Sequence, residues 1–317
     1  SSSFDEIEKL IKDALVLGTD NNFGHDFHKD ALRRFELAAR DPITTGWSQM
    51  DEICKGGLGN SELGVVVAPT GAGKSMVLVH LATQALLLGK TVVYYTLELK
   101  DTTVGQRFDC CLTKTHLGEH KQKKEEILKK IEDIDGTLII KEYPTKSASV
   151  QTIKNHIEKL RKRGINPDII LLDYADLLRP VRSSSEKRHE LEETYEGLRG
   201  LAQSYDIPCW TASQTNRGGL NAEVITMEAI SEAFNKCFVA DFIFSLSRTT
   251  LDKQSNKGRV FIAKNRNGPD GIVFDAHVDW SDVTINILDR NESVEKMQTT
   301  TEARKILKEK YEQLQRK

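Results

Sequence analysis

The chain has 317 residues, 38% of them hydrophobic and 29% charged, with a net charge of -2. That length accommodates one large core with appended arms, and the near-neutral charge excludes a generally basic surface, so any contact with nucleic acid falls to particular loops. No apolar run approaches the roughly 20 residues needed to span a bilayer and the first residues form no apolar signal core, so the expectation is a soluble cytoplasmic protein without membrane contact. The five cysteines, Cys54, Cys110, Cys111, Cys209 and Cys237, have neither CxxC spacing nor a paired disulfide framework, which suits core residues in a reducing compartment.

In chain order, Phe4, Ile7, Leu10, Ile11, Ala14 and Leu15 recur at helical spacing with charged residues between them, which predicts a short amphipathic helix. Gly18, Asn21, Asn22 and Gly24 break the pattern after it, so residues 1–41 read as a helix and tether. The apolar face of that helix must be covered by this core, by another subunit or by a domain outside the chain, and docking on another subunit is the preferred reading. A core is expected over residues 42–290, opening at Thr45-Gly46-Trp47 and the turn Gly56-Gly57-Leu58-Gly59.

The stretch Ala68-Pro69-Thr70-Gly71-Ala72-Gly73-Lys74-Ser75 fits the phosphate-binding loop, with Ala68 where the first glycine usually stands. Leu63 to Val67 before it reads as a buried strand and Met76 to Leu88 after it as a helix closed by Gly89, which is the context the mechanism requires. Glycines let the backbone of Thr70, Gly71, Ala72 and Gly73 curl so that its N–H groups meet phosphate oxygens at a helix N-terminus. Lys74 would then reach the β- and γ-phosphates of ATP, and Ser75 would hold magnesium.

Val92 to Thr96 is a second strand and delivers Glu98 to its end, as a base that activates water or as a solvent-facing glutamate. Leu138 to Lys141 reads as a short strand, and Val150, Ile153, Ile157 and Leu160 stripe a helix ending at Gly164. Ile169 to Leu172 then deliver Asp173, which beside a phosphate loop is the expected second magnesium residue. A serine-rich basic loop follows, carrying Arg179, Arg182, Lys187 and Arg188, suited to a nucleic-acid backbone or simply solvated.

A helix from Leu191 to Tyr205 leads to a strand at Pro208 to Ala212, after which Gln214 is placed to sense a γ-phosphate. Phe242 to Leu246 and Val260 to Ala263 read as further strands, the second followed by the turn Lys264 to Gly271 and a strand from Ile272 to Ala276. Lys264 and Arg266 leave that strand on the same face. They are either an arginine finger with a lysine companion, aimed at a neighbour's γ-phosphate, or a decorated hairpin. Residues 291–317 read as a charged helical tail.

The order of these motifs resembles the ATPase domain of the DnaB-type replicative helicases, a branch of the RecA-like ATPases. The resemblance runs over roughly residues 43 to 280, and its most specific part is Lys264-x-Arg266-Asn267-Gly268-Pro269-x-Gly271. The stretch Leu138 to Thr145 is also similar to T4-type bacteriophage helicases, which implies a viral relative and, if the chain is viral, a bacterial host's cytoplasm. The resemblance implies an α/β, RecA-like fold: a central, mostly parallel sheet with helices on both faces and an N-terminal linker helix. It implies ATP and magnesium at Lys74, Ser75 and Asp173, Glu98 as catalytic base, Gln214 as γ-phosphate sensor, and Lys264 and Arg266 acting in trans within a homo-hexamer. Loops after Asp173 and Gln214 would line a channel for single-stranded DNA, which brings in Arg217, and movement would run 5′ to 3′. Primase and a helicase loader are the implied partners.

The family's N-terminal domain is not in this sequence, so a fragment is expected, and Ala68 is expected to be harmless on the strand side of the turn. Two other readings stay open: a RecA-like recombinase or assembly ATPase without unwinding activity, and a loader or regulator whose ATPase switches a partner.

Overall fold

Six successive residues, Leu63 to Ala68, are all buried and form β1. Their alternation sends Leu63, Val65 and Val67 into one core and Val66 and Ala68 into another, so the strand is covered on both faces. In the computed structural model, which describes residues 24–32, 35, 40–180, 187–215, 224–226 and 237–290, β1 lies at the centre of a nine-stranded sheet of order β3-β2-β4-β5-β1-β6-β7-β8-β9.

The elements are α1 (Ser48–Ile53), β1 (Leu63–Ala68), α2 (Lys74–Leu87), β2 (Thr91–Thr96), α3 (Asp101–Thr113), α4 (Lys124–Glu132), β3 (Thr137–Glu142), α5 (Val150–Arg161), β4 (Ile169–Asp173), α6 (Lys187–Tyr205), β5 (Cys209–Gln214), β6 (Phe242–Ser247), α7 (Thr250–Gln254), β7 (Lys257–Asn265), β8 (Val273–Asp279) and β9 (Thr284–Arg290). Strands β3, β2, β4, β5, β1 and β6 run parallel. Strands β7, β8 and β9 continue the sheet antiparallel. Helices α2 and α3 pack on one face, while α5 and α6 pack on the other. The fold is therefore the α/β, mostly parallel, doubly covered architecture expected from the motifs.

Local chemistry explains the boundaries. Ser149 caps α5 by accepting from the Thr152 N–H, and Thr152 returns the contact to the Ser149 N–H. Gly57 holds φ at 121°, and a Cβ there would fall 1.9 Å from the Ile43 carbonyl oxygen, so the Gly-Gly-Leu turn needs glycine for the Ile43–Leu58 bridge to close.

Several sequence boundaries shift. Strand β5 ends at Gln214 rather than Ala212, and β8 extends to Asp279. Helix α6 begins at Lys187, so Lys187 and Arg188 belong to its first turn and not to the serine-rich loop. Arg188 is paired there with Glu192 at 2.9 Å, an i,i+4 contact that extends the helix backwards. Helices α3 and α4 and strand β9 were not anticipated, because their apolar residues are few. All five cysteines are buried free thiols.

The chain divides into two units, Ser1–Asp41 and Pro42–Lys317. The predicted helix at Phe4 to Leu15 and the tail at 291–317 lie outside the described residues. Among the described residues no helix is long and apolar enough to cross a membrane.

His80 on α2 joins distant segments of the larger unit. Its Nε2 lies 3.0 Å from the Thr45 carbonyl, and its ring stacks on Trp47 with centroids 4.4 Å apart. Trp47 in turn donates to the Ile285 carbonyl of β9 at 2.8 Å. Burial lowers the His80 pKa to about 3, so the folded ring stays neutral while an unfolded one binds a proton below its ordinary 6.5. A lowered histidine contributes stability above the unfolded pKa and loses it as pH falls. Urea unfolding should therefore show about 1.5 kcal/mol lost through this group between pH 6.5 and 5. His80→Phe should flatten that slope, leaving a smaller part from half-buried His156, which desolvation also lowers. An unchanged slope in the variant would show that His80 titrates in the fold.

Candidate functional site

Strand β1 ends at Ala68 and α2 begins at Lys74, so the phosphate loop hangs between a buried strand end and a helix N-terminus. Gly71 and Gly73 both take positive φ, 72° and 108°. At Gly73 a side chain is excluded twice over, because a Cβ would also fall 2.1 Å from the Trp280 ring. With Gly73 as N-cap, no side chain competes for the first-turn N–H groups of α2. Lys74 is buried, and its Nζ donates to the Ala68 and Pro69 carbonyls at 3.3 and 3.2 Å, with the Tyr174 ring 5.4 Å away. Ala68 is the last residue of the strand, on the side of the turn where its methyl packs into the core.

Asp173 ends β4 opposite Thr96 of β2 and is wholly buried. Its Oδ2 accepts from the Tyr94 hydroxyl at 3.2 Å, while Oδ1 is buried with no hydrogen-bond partner among the described residues. Burial raises its carboxyl above the usual range, opposed by the hydroxyls of Ser75 and Tyr94 and reinforced by Glu98. An unsatisfied buried carboxylate oxygen beside a serine hydroxyl suits a hydrated divalent cation, because magnesium keeps most of its waters and takes few protein oxygens. The residues present therefore fit the group. Glu98 lies just beyond β2, exposed, on the rim of the same cleft.

Gln214 ends β5 in register with Ala68 of β1. Its Nε2 donates to the Thr70 hydroxyl at 2.7 Å, its Oε1 accepts from the Tyr174 hydroxyl at 3.1 Å, and its backbone N–H donates to Asp176 Oδ2 at 3.1 Å. The side chain thus spans the phosphate loop and the end of β4. A reorientation of Gln214 would be felt at both.

The cleft is lined by Thr70, Gly71, Gly73, Lys74, Ser75, Met76, Glu98, Leu99, Arg107, Tyr174, Gln214 and Trp280. Five of these were not singled out from sequence as lining the site: Met76, Leu99, Arg107, Tyr174 and Trp280. Arg107 stands on α3 and sends a cation toward Asp173 and Tyr94. Trp280 follows β8 and carries the Arg248 guanidinium 5.6 Å from its ring centre. An arginine on the helix after Glu98 and a tryptophan in a hairpin turn are ordinary in sequence, and the sheet alone brings them to the loop.

Lys264 and Arg266 do not line this cleft. Both turn back onto the segment before β6, Lys264 donating to the Phe238 carbonyl at 2.5 Å and Arg266 pairing with Asp241 at 3.0 Å. Burial and the neighbouring Arg266 hold the Lys264 ammonium below its ordinary pKa. Of the residues predicted to meet DNA, Arg179 is exposed and Arg188 is paired on α6. Arg182, Arg217 and the Lys187 side chain lie outside the described residues.

Comparison with known proteins agrees with this fold. The chain is 28% identical over 261 residues to a DnaB-like replicative helicase of Enterobacteria phage T4, covering 77% of this chain and 54% of that protein. It is 23% identical over 276 residues to the replicative DNA helicase DnaB of Buchnera aphidicola subsp. Acyrthosiphon pisum, covering 79% and 58%. The chain thus spans about half the length of the curated relatives it matches. A solved structure of an isolated ATPase domain shares the fold with a TM-score of 0.71 at 16% identity, covering 84% of this chain and 100% of that one. A DnaB-like replicative helicase solved in a study of its interactions with primase gives a TM-score of 0.70 at 16% identity, covering 90% and 74%. The family described as the DnaB-like helicase C-terminal domain matches residues 42–281, about three quarters of the chain, and the chain belongs to that family.

Proposed function

We propose that this chain is the ATP-driven motor of a replicative DNA helicase, working as a homo-hexamer that moves on single-stranded DNA, 5′ to 3′ as its family implies, and unwinds duplex. The observation that carries the reading is an incomplete cleft. Among the described residues it is lined by the phosphate loop, Glu98 and Gln214, with the buried Asp173 beside Ser75, while the two cations expected at a γ-phosphate lie elsewhere on the same chain. A second copy supplying Lys264 and Arg266 completes it.

In this mechanism the loop N–H groups and Lys74 bind the phosphates of ATP, Lys74 exchanging its carbonyl partners for phosphate oxygens. Ser75 and Asp173 would hold magnesium, which would supply charge neutralisation to the transferring phosphoryl group. Glu98 takes a proton from the attacking water. Gln214 holds the γ-phosphate and reports its loss to Thr70, Tyr174 and Asp176, its partners here. Arg266, with Lys264, stabilises the charge of the transferring group from the adjacent subunit. The DNA strand runs past the loops after Asp173 and Gln214, with Arg179, Arg182, Lys187, Arg188 and Arg217 as backbone contacts. Primase and a loader act as partners, the first supported by the relative studied with primase. The protein works in the cytoplasm, that of a bacterial host if the chain is viral like its T4 relative.

Electron microscopy of the chain with a non-hydrolysable ATP analogue and single-stranded DNA tests the assembly. Six-membered rings around DNA support the motor, and open filaments favour a recombinase. Glu98→Gln should bind a fluorescent ATP analogue normally and lose about 10² to 10⁴ in turnover. Normal hydrolysis in that variant would move the base elsewhere. Arg266→Ala should keep nucleotide binding and lose about 10³ or more in DNA-stimulated turnover. A rate within about tenfold of wild type would remove the finger role, since that is about 1.4 kcal/mol of barrier.

A further inference from the structure

Lys264 and Arg266 come to rest on one short stretch, residues 238–241, just before β6. Lys264 Nζ lies 4.3 Å from the centre of the Phe238 ring as well as on the Phe238 carbonyl. Arg266 meets Asp241 twice, through its guanidinium to Oδ1 at 3.0 Å and through its backbone N–H to the carbonyl at 3.0 Å. Asp241 is buried and holds a second guanidinium. Arg199 of α6 grips it with two hydrogen bonds, Nε to Oδ2 at 3.2 Å and Nη2 to Oδ1 at 3.1 Å. The Leu63 N–H at the start of β1 adds a third donor at 3.0 Å.

The two arginines are unequal. Arg199 is 23% exposed and doubly bonded, whereas the Arg266 side chain is 46% exposed and makes one ion-pair contact. A buried carboxylate stripped of its counter-charge is strongly unfavourable, so a lone arginine on Asp241 would be hard to remove. With Arg199 in its two-pronged grip the carboxylate stays neutralised. Releasing Arg266 then costs only a half-exposed ion pair, a weak contact in water.

We propose that Asp241 is a seat on which Arg266 rests between engagements with a neighbour's nucleotide, and that Arg199 makes the seat releasable. The proposal rests on the reading of Arg266 as a finger in trans, and it makes Asp241 and Arg199 positioning residues that set how readily the finger is delivered. It also places the rest position at the start of β1, through the Leu63 N–H, on the strand whose far end carries the phosphate loop.

The test is DNA-stimulated ATP turnover of the full chain in Arg199→Gln, Asp241→Asn and the double variant, each also in an Arg266→Ala background. Arg199→Gln leaves Arg266 as the remaining guanidinium on a buried carboxylate and should slow turnover about tenfold. Adding Asp241→Asn should restore the rate to within about threefold of wild type, a reversal that two purely structural losses would not give. In the Arg266→Ala background neither change should move the residual rate. A double variant slower than Arg199→Gln alone, or an Arg199→Gln effect that persists without Arg266, overturns the seat. Failure of the finger itself shows separately, as near-normal turnover in Arg266→Ala alone. If Arg199→Gln does not fold, Asp241→Asn decides: a rate at least equal to wild type supports the seat, and a tenfold loss at an unchanged melting temperature overturns it.

Discussion

The parallel pairing of β1 with β5 on one edge and β6 on the other fixes the point at which Ala68 leaves the sheet, and with it the position of the phosphate loop. Because both edges are hydrogen-bonded and both faces are buried, the strand has no freedom to slip, and a shift of one residue would exchange its two cores. The same register puts Gln214 beside Ala68 and Asp173 beside Thr96. Loop, carboxylate and Gln214 therefore meet because their strands end together, as ligand sites do at the carboxyl ends of parallel sheets.

That constraint brings charge into a dry place. Lys74 and Asp173 are both buried, and burial of either charge is unfavourable unless a partner is supplied. The lysine satisfies itself on the carbonyls of its own loop, while the aspartate leaves one oxygen unsatisfied. Both arrangements suit the proposed ligand, with phosphate oxygens for the lysine and a cation for the aspartate. Gln214 occupies the gap with contacts to groups on either side, so polar bonds tie the phosphate loop to the end of β4.

The local motifs were legible because each carries its chemistry in adjacent residues. Gly71, Gly73, Lys74 and Ser75 act through backbone geometry and a helix terminus that the flanking apolar run and helix already announce. Strands β1, β2, β4 and β6 were readable for the same reason, being continuous apolar runs. Arg107 and Trp280 were not, since each is an unexceptional residue whose part depends on which helix and which hairpin lie over the loop. Strand β9 and helix α3 were missed because their buried residues, Ile285 and Ile287 or Val104 and Phe108, are sparse among polar ones.

The amino-acid sequence by itself determined the α/β class, the phosphate loop, the order of the polar residues at the strand ends and membership in a helicase family, because short-range backbone rules and motif spacing act within a few residues. Only the tertiary structure decided that Asp173 keeps a buried oxygen without a partner, that Gln214 bridges Thr70 and Tyr174, and that Lys264 and Arg266 fold back on Phe238 and Asp241. Those are contacts between residues far apart in the chain, and their geometry exists only once parallel strands have set their register and the helices have closed over both faces.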